Sequence, residues 1–188
     1  MTIFMDEVAL KIMFGDCRFY EFTVILAISK TGFLLKPYIS LWSQVEVEDW
    51  NGEGGRVLEL TNTGRIDVNS LIWWTTKCLI PFTNQCCATL IFNKTQLHSK
   101  SDFRDLLRKN KVQVMELPAG LNCILNPLKP IIQFMKKYLH ISAKEIKKVT
   151  TEILAQLIIN GLLYITHEKP ILLYEAFNCL SLYNYPAG

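Results

Sequence analysis

The sequence predicts an α+β protein with a β-rich N-terminal module followed by a helical C-terminal module. Half of its 188 residues are hydrophobic and a fifth are charged, as in folded domains with a substantial core. Turn-separated apolar runs fill the first half, whereas apolar residues at helical spacing dominate the second. Residues 1–92 hold 7 Lys/Arg and 10 Asp/Glu (net −3), and residues 93–188 hold 13 and 7 (net +6). These observations together indicate two modules.

Residues 1–97 are predicted to form the β-rich module. Its segments are rich in β-branched and aromatic residues and are separated by turns that contain Gly or Asn. They are EVALKIMF, FTVILAI, FLLKPYISLW, GRVLELT, IDVNSLIWW and ATLIF. Short strands at this spacing predict a small barrel or sandwich. FTVILAI is also compatible with a helix, because short apolar runs are ambiguous.

Residues 98–125 are predicted to connect the two modules through a helix and a strand. The segment SKSDFRDLLRKNK predicts a short helix, with Ser101 as its N-cap and basic residues in its last turn. The segment KVQVMEL predicts the strand that follows it.

Residues 126–188 are predicted to hold three helices and a hairpin. PLKPIIQFMKKYL is amphipathic, ISAKEIKKV is capped by Ser142, and TTEILAQLIINGLLYI ends at Gly161. LLYITHE and ILLYEAF then form the arms of the hairpin around the dipeptide KP. Over residues 126–178 this order resembles a winged-helix domain, with a plain three-helix bundle carrying an appended hairpin as the alternative.

The stretch LELTNTGRIDVNSLIWWTTK, residues 58–77, has two interpretations. In the first, residues 62–64 form a hairpin turn and the tryptophans belong to the core or its rim. In the second, the stretch resembles the centre of the OB-fold in the middle subunit of replication protein A and in Stn-type telomere-capping subunits. Those subunits also place winged-helix domains after an OB-fold. The resemblance implies an OB-like barrel in which Trp73 and Trp74 stack on bases.

Two surfaces are predicted for binding. A recognition helix that reads DNA needs exposed Arg, Lys, Asn or Gln, and the third predicted helix has no Arg or Lys, so docking of a protein suits it better. The docking residues predicted there and on the hairpin are Ile153, Leu157, Tyr164 and Tyr174. The predicted nucleic-acid contacts are Trp73, Trp74, Lys136, Lys137, Lys147 and Lys148.

No local motif of an enzyme or a metal site is present, so the sequence predicts a protein that is not an enzyme, with no cofactor and no metal. The six cysteines lack metal-ligand spacing and are expected to be reduced and mostly buried. No apolar run approaches the roughly 18 residues of a membrane span. The first residues carry Asp6 and Glu7 where a secretory signal carries basic residues, so an intracellular location, nuclear or cytoplasmic, is expected.

These observations favour a non-catalytic subunit or adaptor of a multiprotein complex that docks partners through its C-terminal helices. The resemblance implies an assembly for DNA replication, repair or telomere maintenance. One alternative is direct binding of single-stranded nucleic acid, weak or non-specific. The other is a host-interaction or signalling adaptor with no role on nucleic acid.

Overall fold

The computed structural model describes residues 1–15, 19–42, 57–61, 65–84, 86–118, 126–146 and 150–168. The strands in these ranges are β1 (Thr2–Met13), β2 (Phe19–Ser29), β3 (Tyr38–Trp42), β4 (Val57–Thr61), β5 (Ala88–Asn93) and β6 (Val112–Leu117). The helices are α1 (Val68–Trp74), α2 (Ile80–Thr83), α3 (Ser101–Lys109), α4 (Lys129–Ala143) and α5 (Thr151–Glu168), with a π-helical segment, Thr75–Leu79, between α1 and α2. The α+β class predicted from the sequence is confirmed.

The six strands form one mixed sheet in the order β4-β3-β2-β1-β5-β6. Strands β1, β2 and β3 form an antiparallel meander, while β5 runs parallel to β1 and β6 runs parallel to β5. The pairing of β1 with β2 extends from Ile3↔Ser29 to Met13↔Phe19, but that of β1 with β5 stops at Phe4↔Ile91. The second half of β1 therefore continues past the carboxyl end of β5.

Each face of the sheet is covered by helices, which gives three layers. Residues of β1 alternate between the faces because a strand has a side-chain period of two. Phe4, Val8 and Leu10 belong to the hydrophobic cluster shared with α4 and α5. Ile3 and Met5 belong to the cluster on the opposite face, with side chains of α1 and α3. The long apolar strands β1 and β2 are explained by this burial on both sides.

The predicted OB-like barrel of residues 1–97 is wrong. The described strands form an open sheet that also includes β6, from beyond residue 97. The segment IDVNSLIWW, predicted as a strand, instead holds helix α1. Asp67 caps this helix, because its Oδ1 accepts hydrogen bonds from the backbone N and the Oγ of Ser70, both at 2.8 Å. A good N-cap has here outweighed the β-propensity of the residues after it.

The winged-helix prediction also fails where the structure describes it. The segment 161–168, predicted to contain a wing strand, continues helix α5 to Glu168. Gly161 does not end the helix. A Cβ there would lie 2.9 Å from the Tyr138 ring and 3.0 Å from the Met135 sulfur, so a larger residue would force these side chains to move and glycine allows the close approach of α5 to α4. The predicted second helix is a turn after Ala143 over its described part, and the second hairpin arm lies outside the described residues.

None of the helices in the described ranges combines the length and the apolar character needed to cross a bilayer.

Candidate functional site

The candidate site lies where β5 ends beside the continuing strand β1. Asp6 follows the last β1 residue paired with β5 by two positions and lies on the same face as Phe4 and Val8. Asn93 is the last residue of β5. Polar side chains at the carboxyl ends of strands are a common location for binding sites in mixed and parallel sheets.

Two asparagine amides hold the Asp6 carboxylate. The Nδ2 of Asn93 donates to Oδ1 at 3.3 Å, and the Nδ2 of Asn126, just before α4, donates to Oδ2 at 2.5 Å. The Oδ1 of Asn126 accepts from the backbone N–H of Leu128 at 2.9 Å. Since an N–H can only donate, this contact fixes which end of the Asn126 amide faces Asp6. Asn126 is 7% exposed, so the arrangement is largely shielded from water.

Burial raises the pKa of Asp6 above its ordinary value of 3.8, and the neighbouring Glu7 charge acts in the same direction. The hydrogen bonds from Asn126, the Glu7 backbone N–H and Asn93 oppose this shift without cancelling it. The reason is that neutral N–H donors stabilise the carboxylate less than transfer out of water destabilises it.

Glu7 points to the opposite face and pairs with a buried histidine. The Nε2 of His98 lies 2.8 Å from Oε1 of Glu7, and its Nδ1 lies 2.7 Å from the carbonyl oxygen of Asn93. Both ring nitrogens of His98 thus have a hydrogen-bonding partner. His98 is 2% exposed and its ring centroid lies 4.3 Å from that of Phe92.

The same edge continues through the Arg104–Glu116 ion pair to β6. The Nε of Arg104 donates to the carbonyl oxygen of His98 at 2.6 Å, and its Nη2 pairs with Glu116 on β6. Burial opposes ionisation of Glu116, but the Arg104 hydrogen bond and charge, with Lys94, outweigh it and lower the pKa of this carboxyl. Asn93 and His98 thus connect a polar network that runs from Asp6 to Glu116.

The network offers few ligands for a metal ion. Within the described ranges, no three His, Cys, Asp or Glu side chains are placed to hold one. Cys78 is buried, which raises the pKa of its thiol to about 11, whereas Cys86 and Cys87 are exposed, contrary to the expectation of burial for them. Cys17, Cys123 and Cys179 lie outside the described residues.

The two tryptophans predicted to stack on bases have different environments. Trp74, the last residue of α1, is fully buried in the hydrophobic cluster between this helix and the sheet, and its Nε1 donates to the carbonyl oxygen of Lys36 at 3.0 Å. Stacking by Trp74 is therefore wrong, because the ring is part of the core. Trp73 is 37% exposed, with its ring centroid 5.9 Å from that of Tyr38.

The predicted lysine contacts lie on α4 as far as they are described. Lys136 and Lys137 are exposed, whereas Lys147 and Lys148 lie outside the described residues. An open groove of about 410 Å³ separates α4 from the second half of β1. Its lining includes Lys11, Lys136 and His140, with the apolar side chains of Leu10, Ile12 and Leu139 at its base.

The predicted docking residues divide between surface and core. Ile153 and Tyr164 are exposed, and the Tyr164 ring stacks on that of Phe134 at 5.7 Å between centroids. Leu157 is buried against the sheet, so its predicted docking role is wrong. Tyr174 lies outside the described residues.

The roles of Asp6, Asn93, Asn126 and His98 were not predicted from the sequence. One signal was available, since Asp6 and Glu7 interrupt an otherwise apolar strand and so require partners. The partners are 87 to 120 residues away from Asp6 and follow no local motif, so nothing in the sequence identifies them.

Comparison with known proteins shows the fold but no family. No family model and no curated protein matches the sequence. Among solved structures, 95% of this chain superimposes on 77% of the Mos1 transposase catalytic domain solved with Raltegravir and Mg, with a TM-score of 0.52 and 13% identity. A chain in the cryo-EM structure of the simian T-cell lymphotropic virus intasome with PP2A regulatory subunit B56 gamma gives a TM-score of 0.51 and 9% identity. That match covers 88% of this chain but only 48% of the other, so this chain spans about half of its length.

These matches correct the expectation that the chain is not an enzyme, because the catalytic domain of an enzyme has the same fold. They are a transposase domain and an intasome chain, not OB-fold subunits of the replication protein A or telomere-capping kind. The three-layer mixed sheet of this chain therefore shares the overall fold of the Mos1 transposase catalytic domain.

Proposed function

We propose that this chain is a nucleic-acid-binding domain that works as a subunit of a DNA-handling assembly. The observation that carries the proposal is the likeness over 95% of the chain to a transposase catalytic domain. The intasome match, at a similar TM-score, supports the same class of assembly. Fold alone does not define function, so the proposal also needs a surface on this chain that suits nucleic acid.

The groove beside α4 supplies such a surface. Lys136, His140 and Lys144 follow one another at intervals of four residues and are exposed, so they form one basic stripe along α4. Lys11 also lines the groove where β1 passes it, but its side chain points to the sheet face opposite to Leu10 and Ile12. Its Nζ lies 2.8 Å from Glu21, but both side chains are more than half exposed, and such pairs contribute little. The basic stripe of α4 therefore supplies the charge that suits phosphates on this side of the sheet.

A protein partner is part of the proposal, as the sequence suggested. Ile153, Leu163 and Tyr164 on α5 are each more than a third exposed, and Ile141 at the end of α4 is 57% exposed. Apolar side chains concentrated on two packed helices suit a protein interface. The intracellular location expected from the sequence, nuclear or cytoplasmic, belongs to the same proposal.

Fluorescence anisotropy with labelled single- and double-stranded oligonucleotides tests nucleic-acid binding. We expect affinity to fall steeply between about 50 and 200 mM salt, because phosphate contacts release counterions. Lys136→Ala should weaken binding on all sequences and reduce the slope of log K against log salt by about 1. Lys109→Ala is the matched control, since this exposed lysine lies on α3, away from the α4 groove.

Equal losses in Lys136→Ala and Lys109→Ala would remove the groove from the proposal. No binding to any oligonucleotide at the lower salt concentration would contradict nucleic-acid binding itself.

A further inference from the structure

The Mos1 transposase catalytic domain, which shares the fold, was solved with Mg. Magnesium in proteins is bound by carboxylates and other oxygen atoms in near-octahedral geometry, and two-metal sites place their ions about 3.5–4 Å apart. The edge where β5 ends beside β1 is where this chain offers a carboxylate with polar neighbours. The contacts of Asp6 show whether the oxygen atoms at this edge could bind a divalent cation.

The groups around Asp6 do not suit a divalent cation. Both carboxylate oxygens face amide N–H groups, Oδ1 that of Asn93 and Oδ2 that of Asn126. A cation needs lone pairs directed at it, and an N–H directed at the same oxygens repels it. The carbonyl oxygen of Asn126 cannot simply rotate to replace the N–H, because it already accepts from the Leu128 backbone. Glu7 cannot complete the site either, since it pairs with His98 on the other face.

We propose that Asp6, Asn93 and Asn126 form a hydrogen-bonded clamp that takes the place of a divalent-cation site in this chain. The clamp joins three elements, because Asp6 belongs to β1, Asn93 ends β5 and Asn126 leads into α4. Because Asp6 and Asn93 belong to the sheet and Asn126 lies just before α4, these hydrogen bonds hold the start of α4 against the sheet. The inference is independent of nucleic-acid binding, since it depends only on these contacts.

The chemistry of the clamp depends on amides in place of carboxylates. An Asn-to-Asp change keeps the shape of the side chain and converts two N–H donors into an acceptor. With Asp at positions 93 and 126, three carboxylates would converge where now one is held by neutral donors. Such a group of like charges raises the pKa of its members unless a cation binds among them. The double change should therefore create a cation site on the same backbone.

Isothermal titration of the full chain with MnCl₂ in the absence of nucleic acid tests the clamp. We expect no saturable binding by the wild-type chain at millimolar Mn²⁺, and saturable binding by the Asn93→Asp/Asn126→Asp variant, in the range typical of weak carboxylate sites. The triple variant that also carries Asp6→Asn is the control for binding to surface carboxylates, and it should lose the binding gained. Circular dichroism checks that each variant is folded.

Saturable binding of Mn²⁺ by the wild-type chain that Asp6→Asn abolishes would overturn the proposal. A folded double variant that gains no binding would overturn it too, because the amides would then not be what excludes the cation. If the double variant does not fold, the wild-type titration decides alone: absence of saturable binding supports the clamp, and binding refutes it. Failure to bind oligonucleotides leaves this result unaffected.

Discussion

Asp6 and Glu7 are consecutive carboxylates on one strand, and the structure satisfies them in opposite ways. Asp6 points to the α4–α5 face and is held by the neutral amides of Asn93 and Asn126. Glu7 points to the α1–α3 face and pairs with the buried ring of His98. Both side chains are only partly exposed, so each needs a partner to replace water.

The difference lies in what is lost when a partner is removed. The His98 ring lies 2.8 Å from the Glu7 carboxyl group, so removing the ring leaves a partly buried carboxyl group without its partner. The amides around Asp6 contribute hydrogen bonds without charge, so removing one still leaves the carboxyl group the other amide and the Glu7 backbone N–H as donors. Although Asp6 and Glu7 are neighbours on one strand, losing the partner of Glu7 should therefore reduce the stability of the fold more than losing one partner of Asp6.

Removing His98 should have the largest effect on stability. His98→Ala leaves Glu7 without its partner and removes ring contacts with Phe92, so we expect a loss of about 3 kcal/mol in the free energy of unfolding. Urea denaturation followed by circular dichroism measures it.

A double-mutant cycle separates charge from packing at His98. If the uncompensated Glu7 charge causes the loss, adding Glu7→Gln to His98→Ala should recover part of the stability. Equal stability of the single and double variants would show that the loss comes from ring packing, and Glu7 and Asp6 would then differ less than we infer.

Removing an amide from the clamp should cost less. Asn126→Ala leaves both Asp6 Oδ2 and the Leu128 N–H without a partner in a shielded position, so we expect a loss of about 2 kcal/mol. Asn93→Ala removes a longer contact of 3.3 Å from a half-buried side chain, so about 1 kcal/mol is expected. The same urea titrations compare the two variants. A larger loss in Asn93→Ala than in Asn126→Ala would contradict the assignment of Asn126 as the main donor.

Local signals in the sequence predicted individual elements well. β-Branched runs located β1, β2 and β5, and apolar spacing located α3 and α4. The predicted N-cap Ser101 is instead the first residue of α3, and Lys100 occupies the N-cap position without a side-chain hydrogen bond. The misassigned segment IDVNSLIWW shows the limit of propensity, since one Asp67 side chain at an N-cap decides for a helix. Gly161 was predicted to end a helix because glycine often does, but the helix continues and the glycine instead allows close contact with α4.

The sheet order and the candidate site were beyond sequence reasoning for the same physical reason. Both depend on which distant strands pair. Placing β5 beside β1 brings Asn93 to Asp6 across 87 residues, and no residue near either position indicates that pairing. The predicted stacking by Trp74 failed likewise, because burial of α1 against the sheet follows from topology.

The smallest effect we predict concerns the pH dependence that Asp6 contributes. Burial raises its pKa above 3.8 in the folded state, so the folded chain holds this proton more tightly than the unfolded chain does. The contribution of Asp6 to stability is therefore fully present below pH 3.8 and declines as the pH rises through the raised pKa of the folded state. Asp6→Asn cannot titrate, so the stability of the wild type relative to this variant should decrease from acid to neutral pH.

Urea titrations of both proteins across this pH range measure that difference. Glu21 and Glu116, whose pKa values are lowered, give the opposite dependence, but both proteins contain them and they cancel. A difference that stays flat or increases with pH would mean that the Asn93 and Asn126 hydrogen bonds outweigh burial. The neutral clamp would then stabilise the charge of Asp6 as well as His98 stabilises that of Glu7, and the contrast between the two faces would disappear.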